Sequence, residues 1–390
     1  HKTSFFLVFF VLLLSGWGLI HLTFVQNWMV KKAASILSKN LNTSVSVKHV
    51  DIGLFNKLLV QGVLVQDQKK DTLLFAGALK LNITDWFFLN KKPVIKYVGL
   101  SDVVVNLGRN DSVWNYQFLA DYFSSPAWKT KKSNPVEFDI KVIELKNIRF
   151  NKTDGWIGQD LKGFISKLDL TADNFDFKNK NIVINNVNLD GPQFSLNDYT
   201  GNRPSPALQN TVTRNKDTAS LQWNSGDWKI SVAKITLTNG QFRNDRETAR
   251  GAYTDRFDGE HFIFGKINGE LKNILFIKDS ITANIKLSTR EKSGFEVKQL
   301  VAAMKITPTL MEFNELDIVT DKSRIGNYYA MRYKNFNADM GNFLHSVKLE
   351  GNFNKSKIHS DDIAFFAPEL KPWNRVINFS GLAKGSIDNL

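Results

Sequence analysis

The segment WKISVAKITLTNGQF, residues 228–242, aligns without a gap on VEFDIKVIELKNIRF, residues 136–150. Ile230 falls on Phe138, Val232 on Ile140, Ile235 on Ile143, Leu237 on Leu145, Asn239 on Asn147 and Phe242 on Phe150. A third copy, IVINNVNLDGPQF, carries Ile182, Ile184, Val187, Leu189, Gly191 and Phe194 at the same positions. A weaker fourth, PVIKYVGLSDVVV, carries Ile95, Val98, Leu100, Asp102 and Val105. A chain made of one repeated unit buries the apolar face of each unit against its neighbours, which makes a solenoid-like body rather than one centred core.

The unit itself is a strand. From residue 44 onward apolar and polar residues alternate with a period of two: Ile281, Ala283, Ile285 and Leu287 share one face, and Thr282, Asn284, Lys286 and Ser288 take the other. No long helical pattern interrupts the alternation, so the expected fold is all-β, an antiparallel meander rather than a parallel α/β sheet. The step of three from Val232 to Ile235 predicts a bulge, since only an extra residue keeps both on one side. Strands bent at one place would stack into a curved, elongated trough with the apolar row on its concave side. Spacing alone leaves a second arrangement open, in which the same residues form the core between two packed sheets.

The amino terminus obeys a different rule. Residues 5–25, FFLVFFVLLLSGWGLIHLTFV, are apolar except for Ser15, His21 and Thr23, and about 20 residues at 1.5 Å rise cross a ~30 Å hydrocarbon layer. Residues 1–25 read as one transmembrane anchor rather than a cleaved signal peptide, because the apolar run continues well past Gly16 and Gly18. Helical spacing persists over residues 24–41, placing Val25, Trp28, Met29, Ala33, Ile36, Leu37 and Leu41 on one stripe, so residues 26–43 form an amphipathic stalk that Asn42 ends. The stripe either lies on lipid or covers the edge of the sheet that follows at 44–390. Residues 197–217 are polar and read as a loop or insertion.

Cysteine is absent, which excludes disulfides and thiolate metal sites. A net charge of +13 would suit an anionic surface, but lysine is spread over the whole chain with no arginine-rich block, so nucleic acid is not the expected partner. The six histidines, His1, His21, His49, His261, His345 and His359, show no metal-ligand spacing. GEHFIFGKI, residues 259–267, has one residue too many between its glycines for a phosphate loop, and an Ile where Ser or Thr should hold magnesium. Asp361 and Asp362 are adjacent and read as a helix start before IAFFAP rather than as a catalytic pair. No enzyme, cofactor or metal is expected.

In order along the chain, VQNWMVKKAASILSKNLNTSVSVKHVDI, LLVQGVLVQDQKKDTLLFAGALKLNI, REKSGFEVKQL, LDIVTDKSRI with Thr320 and Ser323, and INFSGLAKGSIDNL resemble the AsmA-like superfamily, and within it the TamB branch of Gram-negative envelope proteins. The motifs are loose and apolar, and their order carries the resemblance. It implies an inner-membrane anchor, a periplasmic β-trough and movement of glycerophospholipid toward the outer membrane. In some members it also implies work with an Omp85-type barrel in outer-membrane protein assembly. Lys31 and Lys32 just after the apolar run, against Lys2 before it, would orient the bulk of the chain to the cytoplasm; the resemblance places it in the periplasm. Chains of this branch are much longer, so the 390 residues read as an amino-terminal portion. The lining expected of the groove is Phe138, Ile140, Ile143, Leu145, Phe150, Ile182, Ile184, Val187, Leu189, Ile230, Val232, Ile235, Leu237, Phe242, Ile281, Ile285 and Leu287. Its chemistry would be solvation rather than bond making: two chains of about 16 carbons at ~0.8 kcal/mol per methylene cost on the order of 25 kcal/mol to expose to water. The alternative expectation is a scaffold whose free sheet edge pairs with a barrel strand or an unfolded outer-membrane protein.

Overall fold

The computed structural model describes residues 23–53, 57–84, 94–124, 137–204 and 223–389. The expected membrane anchor lies outside them but for its last three residues, as does most of the polar stretch at 197–217. Among the described residues no helix is long and apolar enough to cross a membrane. The chain is mostly extended sheet with few helices, and it divides within one strand into two compact units, 1–167 and 168–390.

In the first unit, α1 (Thr23–Leu41) follows the helical spacing of the sequence and stops at Asn42, whose φ of 51° is the left-handed geometry that asparagine tolerates. β1 (Val45–Ser46) and β2 (His49–Ile52) pair antiparallel with β3 (Lys57–Gln66), β3 with β4 (Thr72–Thr84), and β4 with β5 (Val94–Arg109). The chain then passes through α2 (Gln117–Ser124) and returns as β6 (Glu137–Asp154), parallel to β5. The unit boundary falls inside β7 (Gln159–Asp176).

In the second unit, β8 (Asn181–Asp190) and β9 (Gln193–Asp198) both lie parallel to β10 (Lys229–Arg246). An antiparallel meander follows: β11 (His261–Ile277), β12 (Ser280–Glu291), β13 (Glu296–Thr307), β14 (Leu310–Val319), β15 (Arg324–Arg332), β16 (Lys348–His359) and β17 (Val376–Gly385). Two short helices, α3 (Phe336–Gly341) and α4 (Phe343–Ser346), separate β15 from β16. α5 (Ser360–Ala364) and a 3-10 turn (Pro368–Trp373) separate β16 from β17.

The antiparallel meander expected for the whole chain therefore needs correcting, because β5 with β6 and β8–β9 with β10 are parallel. Both exceptions join copies of the sequence repeat. Ile182, Ile184, Val187, Leu189 and Phe194 lie directly beside Ile230, Val232, Ile235, Leu237 and Phe242. Likewise Val98, Leu100 and Val105 lie beside Ile143, Leu145 and Phe150. Two strands with the same pattern in the same order match position for position only when they run the same way; an antiparallel neighbour would meet the pattern reversed. Each parallel return needs a crossover of a dozen or more residues, and residues 110–136 and 199–228 supply them.

The bulge also moves. Val232 stays opposite Ile274 and Lys234 opposite Lys272 with no shift of register, so the extra residue expected between Val232 and Ile235 is matched on the partner strand. Asn273, there on β11, has a φ of 53°. The register shift in the β10–β11 pair comes later, between Leu237 and Gly240 and again before Phe242. Asn239 sits in it at φ 51°, and the equivalent repeat positions Asp102, Asn147 and Gly191 have φ of 53°, 53° and 57°. A left-handed backbone position is favoured at Gly and tolerated by Asn and Asp, which explains why every copy has one of the three there; at Asn239 it opens the bulge. Asn239→Val should destabilise the protein by about 1–2 kcal/mol while Asn239→Gly stays near neutral, measured by urea unfolding. Equal midpoints for the two variants would remove the bulge from the account.

Candidate functional site

The cross-strand register turns single apolar residues into rows that run from strand to strand. In the first unit Leu58, Leu81, Val98 and Ile143 are successive partners across β3–β6, and Val60, Leu79, Leu100 and Leu145 form the next row. A further row ends on Val105 and Phe150. In the second unit one row runs Ile182, Ile230, Phe276, Ile281, Ile306, Met311, Met331 and Leu349. Beside it lie Val187, Ile235, Leu271, Ile285 and Ala302, and then Leu189, Leu237, Gly269, Leu287, Leu300, Ile318 and Ile325. Directly opposite residues of paired strands point to the same face. Ile274, opposite Val232, and Leu271, opposite Ile235, both pack on the buried cluster of Ala283, Ile285, Ala302 and Leu316. Val232 and Ile235 thus share a face despite the step of three. Phe138 pairs with Ile95 through its backbone, and its side chain is not among those described.

Burial separates an open face from a sandwich core. Of the described lining residues, only Ile140, Val187, Val232 and Ile285 are buried; the others, Leu145, Leu237 and Leu287 among them, are half-buried. Inner-face residues of two packed sheets would be mostly buried. The opposite face is ionic: Glu270 bridges Lys234 at 2.5 Å and Lys272 at 3.0 Å, which hold its carboxyl down to about 2, and Asp317 receives Arg324 at 2.7 Å.

One edge of the first sheet is closed by α1. The buried Gln26 accepts from Ile52 N at 2.9 Å and donates to Ile52 O, Asn27 accepts from Val50 N at 2.8 Å, and Ser38 exchanges two hydrogen bonds with Val45. These side chains stand in for a missing strand, satisfying the groups that an open edge would present to another chain. Of the two expectations for α1, edge cover is therefore met, but mainly by polar side chains; of the apolar stripe only Leu41 is buried. Gln26, Ala34 and Leu41 are buried, whereas Trp28, Met29, Ala33 and Ile36 are exposed. A strand edge needs amide and hydroxyl partners, which an apolar stripe does not have.

Sequence reasoning missed an aromatic cluster at the strand ends of the second unit. Phe194 stacks on Phe242 and Phe262 on Phe257, while Phe242 meets Phe262 at a tilt and Phe264 meets Phe262 edge to face, at centroid separations of 5.6–5.9 Å. Phe365 and Phe366, from just after α5, meet Phe295, and Phe366 also meets Phe257. Phe194 and Phe242 continue the repeat, but nothing local to IAFFAP says that its rings reach Phe257 and Phe295, just before β11 and β13. The turns are carboxylate-capped: Glu291 of the EKSGF segment accepts from Ile263 N and Ser293 N, and Thr320 and Ser323 both donate to Asp362. Asp361 pairs with Lys322, so this acidic pair sits at the start of α5, as its sequence implies. Residues 259–267 form a turn and the start of β11. Among the described residues no cluster of three or more His, Asp or Glu side chains is placed to hold a metal ion.

No protein-family model matches the chain, and no curated protein matches it in sequence.

Proposed function

We propose that the chain is a membrane-anchored lipid conduit, in which the open apolar face of each unit carries glycerophospholipid acyl chains across successive strands while head groups stay in water. The carrying observation is the register: rows of apolar partners continue from strand to strand on a face that one sheet leaves half-covered. The row from Val187 to Ala302 crosses four strand spacings of ~4.8 Å, about 19 Å of continuous apolar contact, a length suited to one acyl chain. Aliphatic lining contacts tails without selecting head groups, so flux follows supply. With residues 5–25 as an inner-membrane anchor and the bulk of the chain in the periplasm, the conduit leads toward the outer membrane, as the family resemblance implies.

Native mass spectrometry of the purified full chain should show copurified phospholipid. Protein free of lipid after extraction in a mild detergent counts against the conduit and leaves the strand-pairing scaffold ahead. Orientation is checked separately. A single cysteine placed in residues 205–217 of this cysteine-free chain should react with an impermeant maleimide once the outer membrane is permeabilised. Labelling only after the inner membrane is lysed places the bulk of the chain on the cytoplasmic side and overturns the direction of transport.

A further inference from the structure

The outward side of α1 is apolar where a solvated helix should not be. Phe24 is 82% exposed, Trp28 55%, Met29 53% and Ile36 55%, all on the side away from Gln26, Ala34 and Leu41. Lys32 and Lys39 lie among them, and the Lys32 ammonium stands 5.0 Å from the Trp28 ring centroid. Residues 23–41 contain no acidic side chain. Aromatic rings, aliphatic side chains and lysines on one helix face, with nothing negative, are the composition of a segment that sits among lipid head groups.

We infer that α1 lies flat in the head-group layer of an anionic phospholipid bilayer, with Phe24, Trp28, Met29 and Ile36 among the upper acyl carbons and Lys32 and Lys39 at the phosphates. Covalent continuity argues for this occupant over a protein partner, since the apolar run of residues 5–22 leads directly into the helix. The bonds of Gln26, Asn27 and Ser38 to β1 and β2 hold the helix along the sheet edge over most of its length, so its opposite side is presented lengthwise. A helix continuing straight out of the membrane would instead carry Ile36 about 18 Å from Phe24 into water, at 1.5 Å per residue. The flat geometry sets the membrane against the edge of the sheet in which the first apolar rows begin, at Ile52 and Val50 of β2, and continue to Leu58 and Val60.

This inference rests on the anchoring read from residues 5–25, and its test separates the two. The full chain carrying Met29→Cys or Ile36→Cys is spin-labelled and reconstituted into vesicles of phosphatidylcholine with phosphatidylglycerol. Collision with oxygen and with a water-soluble nickel complex then reports the depth of each label, and Lys178→Cys, at an exposed turn, serves as the aqueous reference. Both helix labels should favour oxygen over nickel, and the label at 36 should lose that preference when Lys32→Glu and Lys39→Glu are added or phosphatidylglycerol is left out. An aqueous profile at 36 with a buried one at 29 means a helix leaving the bilayer and overturns the inference. Protein that fails to float with the vesicles overturns the anchor and the inference together, while leaving the lipid-binding face to be judged by mass spectrometry.

Discussion

Leu237→Asp should leave the protein folded and abolish crosslinking of phospholipid to a photoreactive residue at Ile235. Leu237 is half-buried in a row between Leu189 and Gly269. Its carboxylate can draw in water there, and the backbone ladder that holds the strand is untouched. The penalty then falls on the acyl chain that must pass an ionised group, several kcal/mol where the contact is dry. Val232→Asp is the internal comparison: at 7% exposure its charge cannot reach water without opening the packing, so this variant should melt well below wild type. Near-native melting of Leu237→Asp with undiminished crosslinks sinks the conduit. A Leu237→Asp variant that unfolds like Val232→Asp shows the face to be a closed core and sinks it by another route.

The next largest effect is expected at Asp258, which is buried and accepts from both arms of the Arg250 guanidinium, at 2.7 and 2.8 Å, and from Tyr253 N and Glu260 N. The Arg250 hydrogen bonds hold its carboxyl far below the usual carboxylate range. A depressed carboxylate contributes stability that is fully present above its unfolded value near 4 and is lost as pH falls toward the folded one, so the acid limb of the wild-type stability curve should carry this group. Asp258→Ala should lower stability at pH 7 by about 2 kcal/mol, chiefly by leaving two backbone N–H groups without an acceptor, and should flatten the curve below pH 4. Phe257, the adjacent residue, donates its N–H to Phe365 O at 2.7 Å and stacks on Phe262. Loosening this turn should therefore also free Phe366, read as faster proteolysis within residues 360–373. An unchanged acid limb with unchanged proteolysis would reduce Asp258 to a solvated surface pair.

Much of this was legible in the chain. Alternation from residue 44 onward forecasts strands, because a strand needs only that i and i+2 share a face. The repeat placed Ile182 with Ile230 and Leu189 with Leu237, and these are neighbours in the sheet. Helical spacing and Asn42 set the end of α1. What failed did so because it depends on partners distant in sequence. An isolated strand carries no record of which way its neighbour runs; the crossovers 110–136 and 199–228 return the chain so that two pairs of repeat copies lie parallel and in register. A bulge is defined by the opposing strand, so the step from Val232 to Ile235 left the register unchanged while Asn239, two residues beyond Leu237, shifted it. The buried side of α1 was decided by the unpaired backbone of Val45, Val50 and Ile52, which drew Gln26, Asn27 and Ser38 inward and left Trp28 and Ile36 outside, against the order that hydrophobicity alone assigns. Local periodicity thus determined the elements and their apolar faces, and the tertiary structure decided direction, register and which face is covered, since those are set by hydrogen-bonding and packing partners brought together only when the chain folds.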